Sequence, residues 1–279
     1  AGDVRGNMWR FDVSASSTGS WSKFKLFAAG STKPITTRPI VGTHPNRFGG
    51  IMVYFGTGKF LETGDNSTSG ASTQSFYGIW DQFSNTTVAG SKLLAQTVLN
   101  GSDLTATERF VSDNAINWDI SGATGTTHLG WYMDLPVTGE KQVTNSVLRQ
   151  NRIIFTTLIP PAGSSPCSSN LDGWIMALDT ANGGRLDDSF DTNGDGTIDA
   201  ADKQSYGGVT QAVGGLKTNG GSAAGPVVLS SPPGDIGNPS DRYAPCREAA
   251  ETSVSGGGIE GALLACKGDR ARQIWQQLR

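Results

Sequence analysis

The sequence has few charged residues, few cysteines and few histidines, and it has no long apolar run. Charged residues make up 17% of the 279 positions and the net charge is -3, without any dense run of lysine and arginine. The sequence therefore carries no electrostatic footprint for nucleic acid or for an acidic membrane. Because no apolar stretch approaches the length that crosses a bilayer, no membrane span is predicted in this chain.

The scarce histidines and cysteines form no recognisable metal or catalytic pattern. His44 and His128 lie among Gly, Thr, Pro and Asn residues, so a surface or loop-packing role is predicted for both. The three cysteines lack the CxxC or Cys/His spacings of zinc and redox sites. A disulfide between Cys246 and Cys266 is favoured because it would close a Gly-rich connection, although other pairings stay open. Cys167 would then be unpaired, or paired outside this chain.

The residues that are abundant indicate an all-β protein. The chain has 38 Gly, 12 Pro, 11 Phe and 7 Trp, a composition typical of many short strands joined by tight turns. Clear strand patterns occur at 51–61, 76–81, 131–136 and 147–158, whereas 93–99 fits either a strand or a short helix. The stretch 207–258 is predicted to be a Gly/Pro-rich loop region, or partly disordered, around one strand at 226–229.

Two similar segments resemble the hairpins of propeller blades. Residues 1–13 and 173–186 combine alternating strand patterns with Gly/Asn turns, and both are predicted to form β-hairpins. Trp9 and Trp174 are expected to be buried between sheets. A weaker copy occurs at 261–275, and the irregular spacing of the copies predicts long loop insertions between blades.

The twelve residues 191–202 have the spacing of an EF-hand-type calcium loop. Hard oxygen ligands are expected at positions 1, 3, 5, 7, 9 and 12, which are Asp191, Asn193, Asp195, the Thr197 carbonyl, Asp199 and Asp202. Gly196 supplies the sharp turn, and Ile198 is the apolar anchor. A solvated acidic turn is the alternative, but such a turn needs neither the alternating acids nor the apolar anchor.

The last residue of the loop and the residues that flank it refine the prediction of a calcium site. The closing Asp202 is one methylene shorter than the usual Glu, which predicts moderate or weak calcium affinity. Residues 183–190 lack helical periodicity, whereas 200–204 could form one turn. We therefore expect a calcium loop without a helix-loop-helix.

Taken together, these motifs resemble the C-terminal domain of the PilY/PilC-type type IV pilus tip-associated adhesin and assembly proteins. The resemblance rests on the order and spacing of several segments and covers nearly the whole chain. These segments are 1–3, 6–12, 33–36, 55–62, 74–81, 153–160, 178–186 and 272–279. It implies that residues 1–279 form the C-terminal blades of an incomplete, modified β-propeller. It also implies that the family's calcium loop maps onto Asp191, Asn193, Asp195, Thr197 and Asp199.

The resemblance implies a calcium-binding pilus biogenesis factor and tip adhesin that regulates pilus extension, retraction and surface attachment. Implied partners are minor pilins at the pilus tip and a host or abiotic surface. The implied location is the pilus tip, the outer-membrane surface or the periplasm of a Gram-negative bacterium. Residues 1–13 have no signal pattern and begin inside an expected strand, so the chain is expected to be the mature or cut remainder of a longer polypeptide.

An enzyme on a propeller scaffold, such as a quinoprotein dehydrogenase, is the alternative function. That chemistry needs a ring of cofactor ligands and a catalytic Asp above a calcium ion. Here the acids that could bind calcium are contiguous in residues 191–202, which leaves no ion open to a cofactor. No catalytic residue is predicted, and the non-enzymatic reading is favoured.

Overall fold

The computed structural model describes residues 1–101, 103, 105–121, 125–161, 171–219, 221, 224–231, 247–254 and 259–264. Across these residues the chain forms strands and short 3₁₀ turns, and it forms no α-helix. Consequently no described helix is long and apolar enough to cross a membrane. Frequent glycines break helices, while aromatic and β-branched runs favour strands, so the all-β class predicted from composition is confirmed.

Two five-stranded sheets form the centre of the described structure, preceded by an N-terminal ribbon. The ribbon pairs β1 (Asn7–Asp12) with β2 (Ser22–Ala28). The first large sheet contains β3 (Ile40–Thr43), β4 (Ile51–Gly56), β5 (Ser75–Asp81), β6 (Leu94–Gln96) and β8 (Gly130–Asp134). The second contains β7 (Glu108–Arg109), β9 (Val147–Arg149), β10 (Arg152–Ile159), β11 (Asp172–Asp179) and β14 (Gly215–Lys217).

Strand pairing in the two large sheets is almost entirely antiparallel. Their spatial orders are β3-β4-β5-β8-β6 and β7-β14-β11-β10-β9, and only β6 and β8 pair in parallel. A short hairpin pairs β12 (Gln204–Tyr206) with β13 (Val209–Gln211). The C-terminal sheet contains β15 (Val227–Ser231), β16 (Arg247–Ser253) and β17 (Ile259–Leu264). The 3₁₀ turns are Thr18–Ser20, Thr63–Asp65, Gly90–Lys92 and Ala200–Asp202.

The sheets pack face to face in chain order, with an apolar core at each contact. The N-terminal ribbon covers one face of the first large sheet, where the ring centroids of Phe27 and Tyr77 lie 5.0 Å apart. Between the two large sheets, Phe76 stacks on Phe155 with ring centroids 4.0 Å apart. A third core lies between the second large sheet and the C-terminal sheet, where Phe190 is 1% exposed. Successive sheets that share cores in this way are typical of neighbouring propeller blades.

Polar contacts fix the sheets relative to one another. The Trp131 indole N–H and the Tyr54 hydroxyl, both from the first large sheet, each donate to the Thr180 carbonyl at 3.1 Å. Arg152 of the second large sheet forms a buried ion pair with Glu248 of the C-terminal sheet at 2.7 Å. Burial without a partner would be costly for each of these groups, so the contacts specify how neighbouring sheets align.

The two predicted hairpins agree with the structure only in part. At 1–13 the chain does turn back on itself: Gly2 bridges Met8, the Trp9 N–H donates to the Ala1 carbonyl at 2.8 Å, and the Asp3 N–H donates to the Asn7 carbonyl at 3.0 Å. The longer partner of β1, however, is β2. Trp9 is only partly buried because its face of the ribbon points away from the first large sheet. At 173–186, β11 lies between β10 and β14, so the chain does not return beside it after the turn. Trp174 is 3% exposed, as expected.

Other local predictions have mixed outcomes. The ambiguous stretch at 93–99 contains strand β6. The stretch 207–258 contains the whole of β13, β14, β15 and β16, which is more strand than its glycine content predicted. His44 is 1% exposed and its ring centroid lies 4.4 Å from that of Trp80, which is a loop-packing role. Cys167, Cys246 and Cys266 lie outside the described residues, so the disulfide stays a prediction.

Candidate calcium loop

Residues 191–202 form a surface loop whose two ends are anchored in the protein. Before the loop, Phe190 forms a β-bridge with Leu264 of the C-terminal sheet. After the loop, Tyr206 of β12 stacks on Phe110 with ring centroids 4.8 Å apart, and its hydroxyl donates to the Leu99 carbonyl. The loop therefore connects the C-terminal sheet with the short hairpin, and a change in its shape would act on both.

Two glycines give the loop its turns. Gly194 has a φ of +76° and Gly196 a φ of +83°, in the left-handed region that residues with a Cβ atom rarely adopt. The carboxylate of Asp191 accepts hydrogen bonds from both glycine N–H groups, at 2.6 Å and 2.9 Å. Asp191 is thus directed towards the inside of the turn, as expected of a first ligand position.

The next two oxygen side chains follow the same pattern. Asn193 Oδ1 accepts the Asp195 N–H at 2.9 Å, and Asp195 Oδ1 accepts the Thr197 N–H at 2.8 Å. The Thr197 hydroxyl also donates to Asp195, at 2.6 Å. Hydrogen bonds from the Thr197 hydroxyl and N–H, and from the Asn193 side chain, lower the pKa of Asp195. The Asp195 carboxyl is therefore ionised at neutral pH, as an ion ligand must be.

The last two acids organise the end of the loop. Asp199 caps the 3₁₀ turn by accepting the Ala201 N–H at 2.7 Å. Asp202 is 4% exposed, and its carboxylate accepts the N–H groups of Thr192, Asn193 and Asp199 at 2.7, 3.3 and 2.9 Å. Asp202 therefore ties the two ends of the loop together. Its Oδ1 already accepts two N–H groups, which leaves little capacity for the bidentate contact expected of position 12.

The loop supplies the oxygen donors that a hard cation selects, but its acids do not converge. Four carboxylates, the Asn193 amide oxygen and the Thr197 carbonyl are all present within twelve residues. In the described part of the chain, however, no group of three or more His, Cys, Asp or Glu side chains could hold a metal ion. The donor types and the turn fit calcium, and the carboxylates point to loop N–H groups. Calcium binding therefore stays a prediction.

Comparisons with known proteins place this fold in a family. The family model described as "PilY1 beta-propeller domain" matches residues 16–112. Type IV pilus biogenesis factor PilY1 of Pseudomonas aeruginosa is 29% identical, over 86% of this chain and 23% of the relative. A PilY1 homolog of Xylella fastidiosa is 32% identical, over 68% of this chain and 15% of the relative. The crystal structure of the Pseudomonas aeruginosa PilY1 C-terminal domain matches 95% of this chain and 56% of that chain, with 25% identity and a TM-score of 0.73.

The chain belongs to the PilY1 family. The resemblance predicted from the sequence motifs is therefore confirmed. The chain spans about a quarter of the Pseudomonas relative, 23% of its length. The PilY1 family is non-enzymatic, so the quinoprotein dehydrogenase alternative is not retained. The curated relatives are named as type IV pilus biogenesis factors or their homologs.

Sequence reasoning missed part of how this PilY1-family loop is built. The sequence predicts Asp202 as an ion ligand, and the structure adds that its carboxylate is a buried acceptor of backbone N–H groups. Thr192 provides a second contact between the two ends of the loop, because its hydroxyl donates to the Asp202 carbonyl at 3.0 Å. The Asn-Gly and Asp-Gly dipeptides were a signal for both left-handed turns. No sequence signal distinguishes a ligating Asp from one that binds backbone.

Proposed function

We propose that this chain is the β-propeller portion of a type IV pilus biogenesis factor and that residues 191–202 form its calcium-binding loop. Membership of the PilY1 family supports the pilus role. The observation that carries the calcium assignment is the ordered turn around Gly194 and Gly196, with oxygen side chains at alternate positions. The proposed role of the loop is to regulate pilus extension and retraction.

The loop residues divide into proposed ligands and closing contacts. Asp191, Asn193, Asp195 and Asp199 would act through their side chains, and Thr197 through its carbonyl. Asp202 keeps the ends of the loop together, with any ion contact as a second role. Bound calcium would supply positive charge that offsets repulsion between the carboxylates. Because the empty loop has several acids within a few residues, it should open more readily than the loaded one.

The anchors of the loop suggest how such a change would reach the rest of the protein. Phe190, next to the first acid, is fixed to Leu264 of the C-terminal sheet. Gln204 donates to the Thr192 hydroxyl at 3.3 Å and begins the hairpin that packs on Phe110. A change in the charge of the loop would therefore shift the edge of the C-terminal sheet. A pilus or retraction partner could dock on that edge.

Calorimetry of the 279-residue chain tests the ion assignment. We expect heat of calcium binding in the parent and its loss in Asp195→Ala. Asp103→Ala is a matched control, because Asp103 is exposed and accepts the Thr105 N–H and hydroxyl as Asp195 accepts those of Thr197. Equal calcium heats for the parent and both variants would sink the assignment.

Pilus behaviour in cells tests the regulatory role separately. Asp195→Lys places an ammonium near the proposed ion and should partly mimic the loaded loop, whereas Asp195→Ala should mimic the empty one. We expect opposite effects on twitching motility and surface piliation. If both variants behave like the parent while calorimetry still detects the ion, the ion has a structural role only.

Tip adhesion and the partners are also proposed on the basis of family membership. We propose minor pilins at the pilus tip and a host or abiotic surface as partners of the whole protein. Co-purification of minor pilins with the parent protein, together with attachment assays on cells lacking it, tests these roles. Unchanged attachment in such cells would argue against the adhesin role, and absence of minor pilins from the purified complex would argue against that partner.

A further inference from the structure

The chain contains four Asn-Gly dipeptides, and one of them lies in the loop at 191–202. In such a dipeptide the glycine nitrogen can attack the asparagine side-chain amide, because glycine has no Cβ to hinder the approach. The four are Asn100-Gly101, Asn182-Gly183, Asn193-Gly194 and Asn219-Gly220. Gly220 lies outside the described residues, so the structure allows the other three to be compared.

The amide of Asn100 is tied to the segment around β7. Its Nδ2 donates to the Glu108 carbonyl at 2.7 Å, and its Oδ1 accepts the Phe110 N–H at 3.0 Å. The Gly101 N–H donates to the Val98 carbonyl. A side chain bonded at both atoms to a distant strand cannot turn towards its own backbone without breaking those contacts.

The amide of Asn182 is held in a similar way. Its Nδ2 donates to Asp113 at 2.8 Å, and its Oδ1 accepts the Gly184 N–H at 2.9 Å. Gly183 is buried, and its N–H donates to the Asp179 carbonyl at 2.9 Å. The attacking nitrogen of this dipeptide is therefore enclosed in the fold.

Asn193 and Gly194 are both exposed. The described hydrogen bonds of the Asn193 side chain both go to Asp195, two residues further on, at 2.9 Å and 3.0 Å. No heavy atom beyond its chain neighbours lies within 4 Å of the position that a Cβ on Gly194 would take. The Asn193 amide is thus held only by its own loop, and both water and the glycine nitrogen can reach it.

The attacking nitrogen also has a different partner in this loop. The Gly194 N–H donates to the Asp191 carboxylate at 2.6 Å. In the other two dipeptides the corresponding acceptor is a backbone carbonyl. A carboxylate can accept the proton that the nitrogen loses during attack, whereas a carbonyl oxygen is too weak a base to do so.

We propose that Asn193-Gly194 is a site of spontaneous deamidation. The Gly194 nitrogen forms a bond to Cγ of Asn193 and gives its proton to Asp191. The bond from Cγ to Nδ2 then breaks, and the nitrogen leaves as ammonia after taking that proton back. Water opens the resulting cyclic imide at one of its two carbonyls, which yields aspartate or isoaspartate at position 193. The net change consumes one water and releases one ammonia.

The two products would affect ion binding in opposite ways, an extension that rests on the proposed calcium site. Aspartate keeps an oxygen at position 3 of the loop, where calcium loops accept Asp or Asn. Isoaspartate adds a methylene to the main chain just before Gly194, whose φ of +76° makes the turn. The aspartate form should therefore still bind calcium, and the isoaspartate form should not.

Peptide mapping of the 279-residue chain, aged in mildly alkaline buffer with a chelator, tests the proposal. We expect Asn193 to convert about tenfold or more faster than Asn100 or Asn182, because only its reacting atoms are free to meet. Isoaspartyl methyltransferase should label the same peptide. In urea the three sites should convert at similar rates, since the unfolded chain removes the differences in contacts.

A variant identifies the reacting residue. Asn193→Gln keeps an amide but lengthens the side chain, so labelling of the loop peptide should disappear. Persistent labelling would assign the reaction to Asp195-Gly196 and overturn the proposal. Equal conversion of the three asparagines in the folded chain would overturn it as well.

Ageing with calcium in place of the chelator separates this proposal from the ion assignment. A calcium ion held by Asn193 Oδ1 should slow conversion at Asn193 and leave Asn100 and Asn182 unchanged. Fast conversion that calcium does not slow would still support deamidation, and it would argue against Asn193 as an ion ligand. Absence of conversion at Asn193 in the chelator would overturn the proposal whatever calorimetry shows for calcium.

Discussion

Removal of the Glu140 carboxylate should destabilise the fold more than any surface substitution. Arg109 and Glu140 form a two-pronged ion pair with N–O distances of 2.6 Å and 2.7 Å. Their side chains are 2% and 0% exposed. The pair connects β7 with the segment before β9, and Thr157 of β10 donates to Glu140 at 2.7 Å. The Arg109 guanidinium also lies 4.1 Å from the centroid of the Trp174 ring.

The size of the destabilisation depends on which buried charge remains in each variant. Glu140→Ala leaves a buried guanidinium without its counter-charge, which costs about 3–5 kcal/mol. The contact with Trp174 survives in this variant, so it does not change the comparison. Domains are stable by only about 5–15 kcal/mol, so the loss is a large fraction of the total. The double variant Arg109→Met with Glu140→Leu removes both charges and should recover most of the loss.

Urea unfolding followed by tryptophan fluorescence measures these differences. The exposed ion pair between Lys217 and Asp172, with side chains 24% and 52% exposed, provides the control. Asp172→Ala should cost less than about 1 kcal/mol. The reasoning is refuted if Glu140→Ala costs no more than Asp172→Ala, or if the double variant is as unstable as Glu140→Ala.

Two further predictions concern pH and a crowded glycine. Burial lowers the pKa of His44 and of His128. The contribution of the two histidines to the free energy of unfolding should therefore be complete above about pH 6.5, and the free energy of unfolding should decrease as the pH falls below that value. Replacing both histidines by Asn should flatten this decrease in urea titrations, and an unchanged slope would assign it to other groups. Gly183 has a φ of +72°, and a Cβ there would lie 2.2 Å from Trp131 Cε3. Gly183→Ala should therefore lower the free energy of unfolding by about 2–4 kcal/mol, as measured by thermal unfolding. Gly90 has open space around it, so Gly90→Ala should leave the stability nearly unchanged. Equal losses of stability in the two variants would contradict the steric argument.

Local sequence patterns determined where most of the central strands lie. The aromatic and β-branched runs at 51–56, 76–81 and 153–158 became β4, β5 and β10, whose residues are almost all buried. A run of this kind is recognisable because a strand covered on both faces needs apolar residues at every position. The spacing of the motifs also identified the family, and the spacing of oxygen residues predicts calcium binding at 191–202.

The tertiary structure decided which strands pair and which faces are covered. The sequence predicts a buried Trp9, but the register with β2 places it beside Lys25 on the face of the ribbon that points away from the first large sheet. Strand β11 was expected to begin a hairpin, but it pairs with β14, which is distant in sequence. Pairing depends on long-range hydrogen bonds and on the cost of closing the intervening loops, and neither is encoded in a short pattern.

The same division applies to the candidate site and to the ribbon. The sequence specifies that Asp202 is an acid at the end of the loop, whereas the fold buries its carboxylate against three backbone N–H groups. The sequence contains Phe11 and Lys23 as separate residues, and only the ribbon register brings them together. Residue types and spacings are local properties. Burial, the direction in which a charged group points and the set of residues that share a face arise only when distant segments pack, so only the tertiary structure determines them.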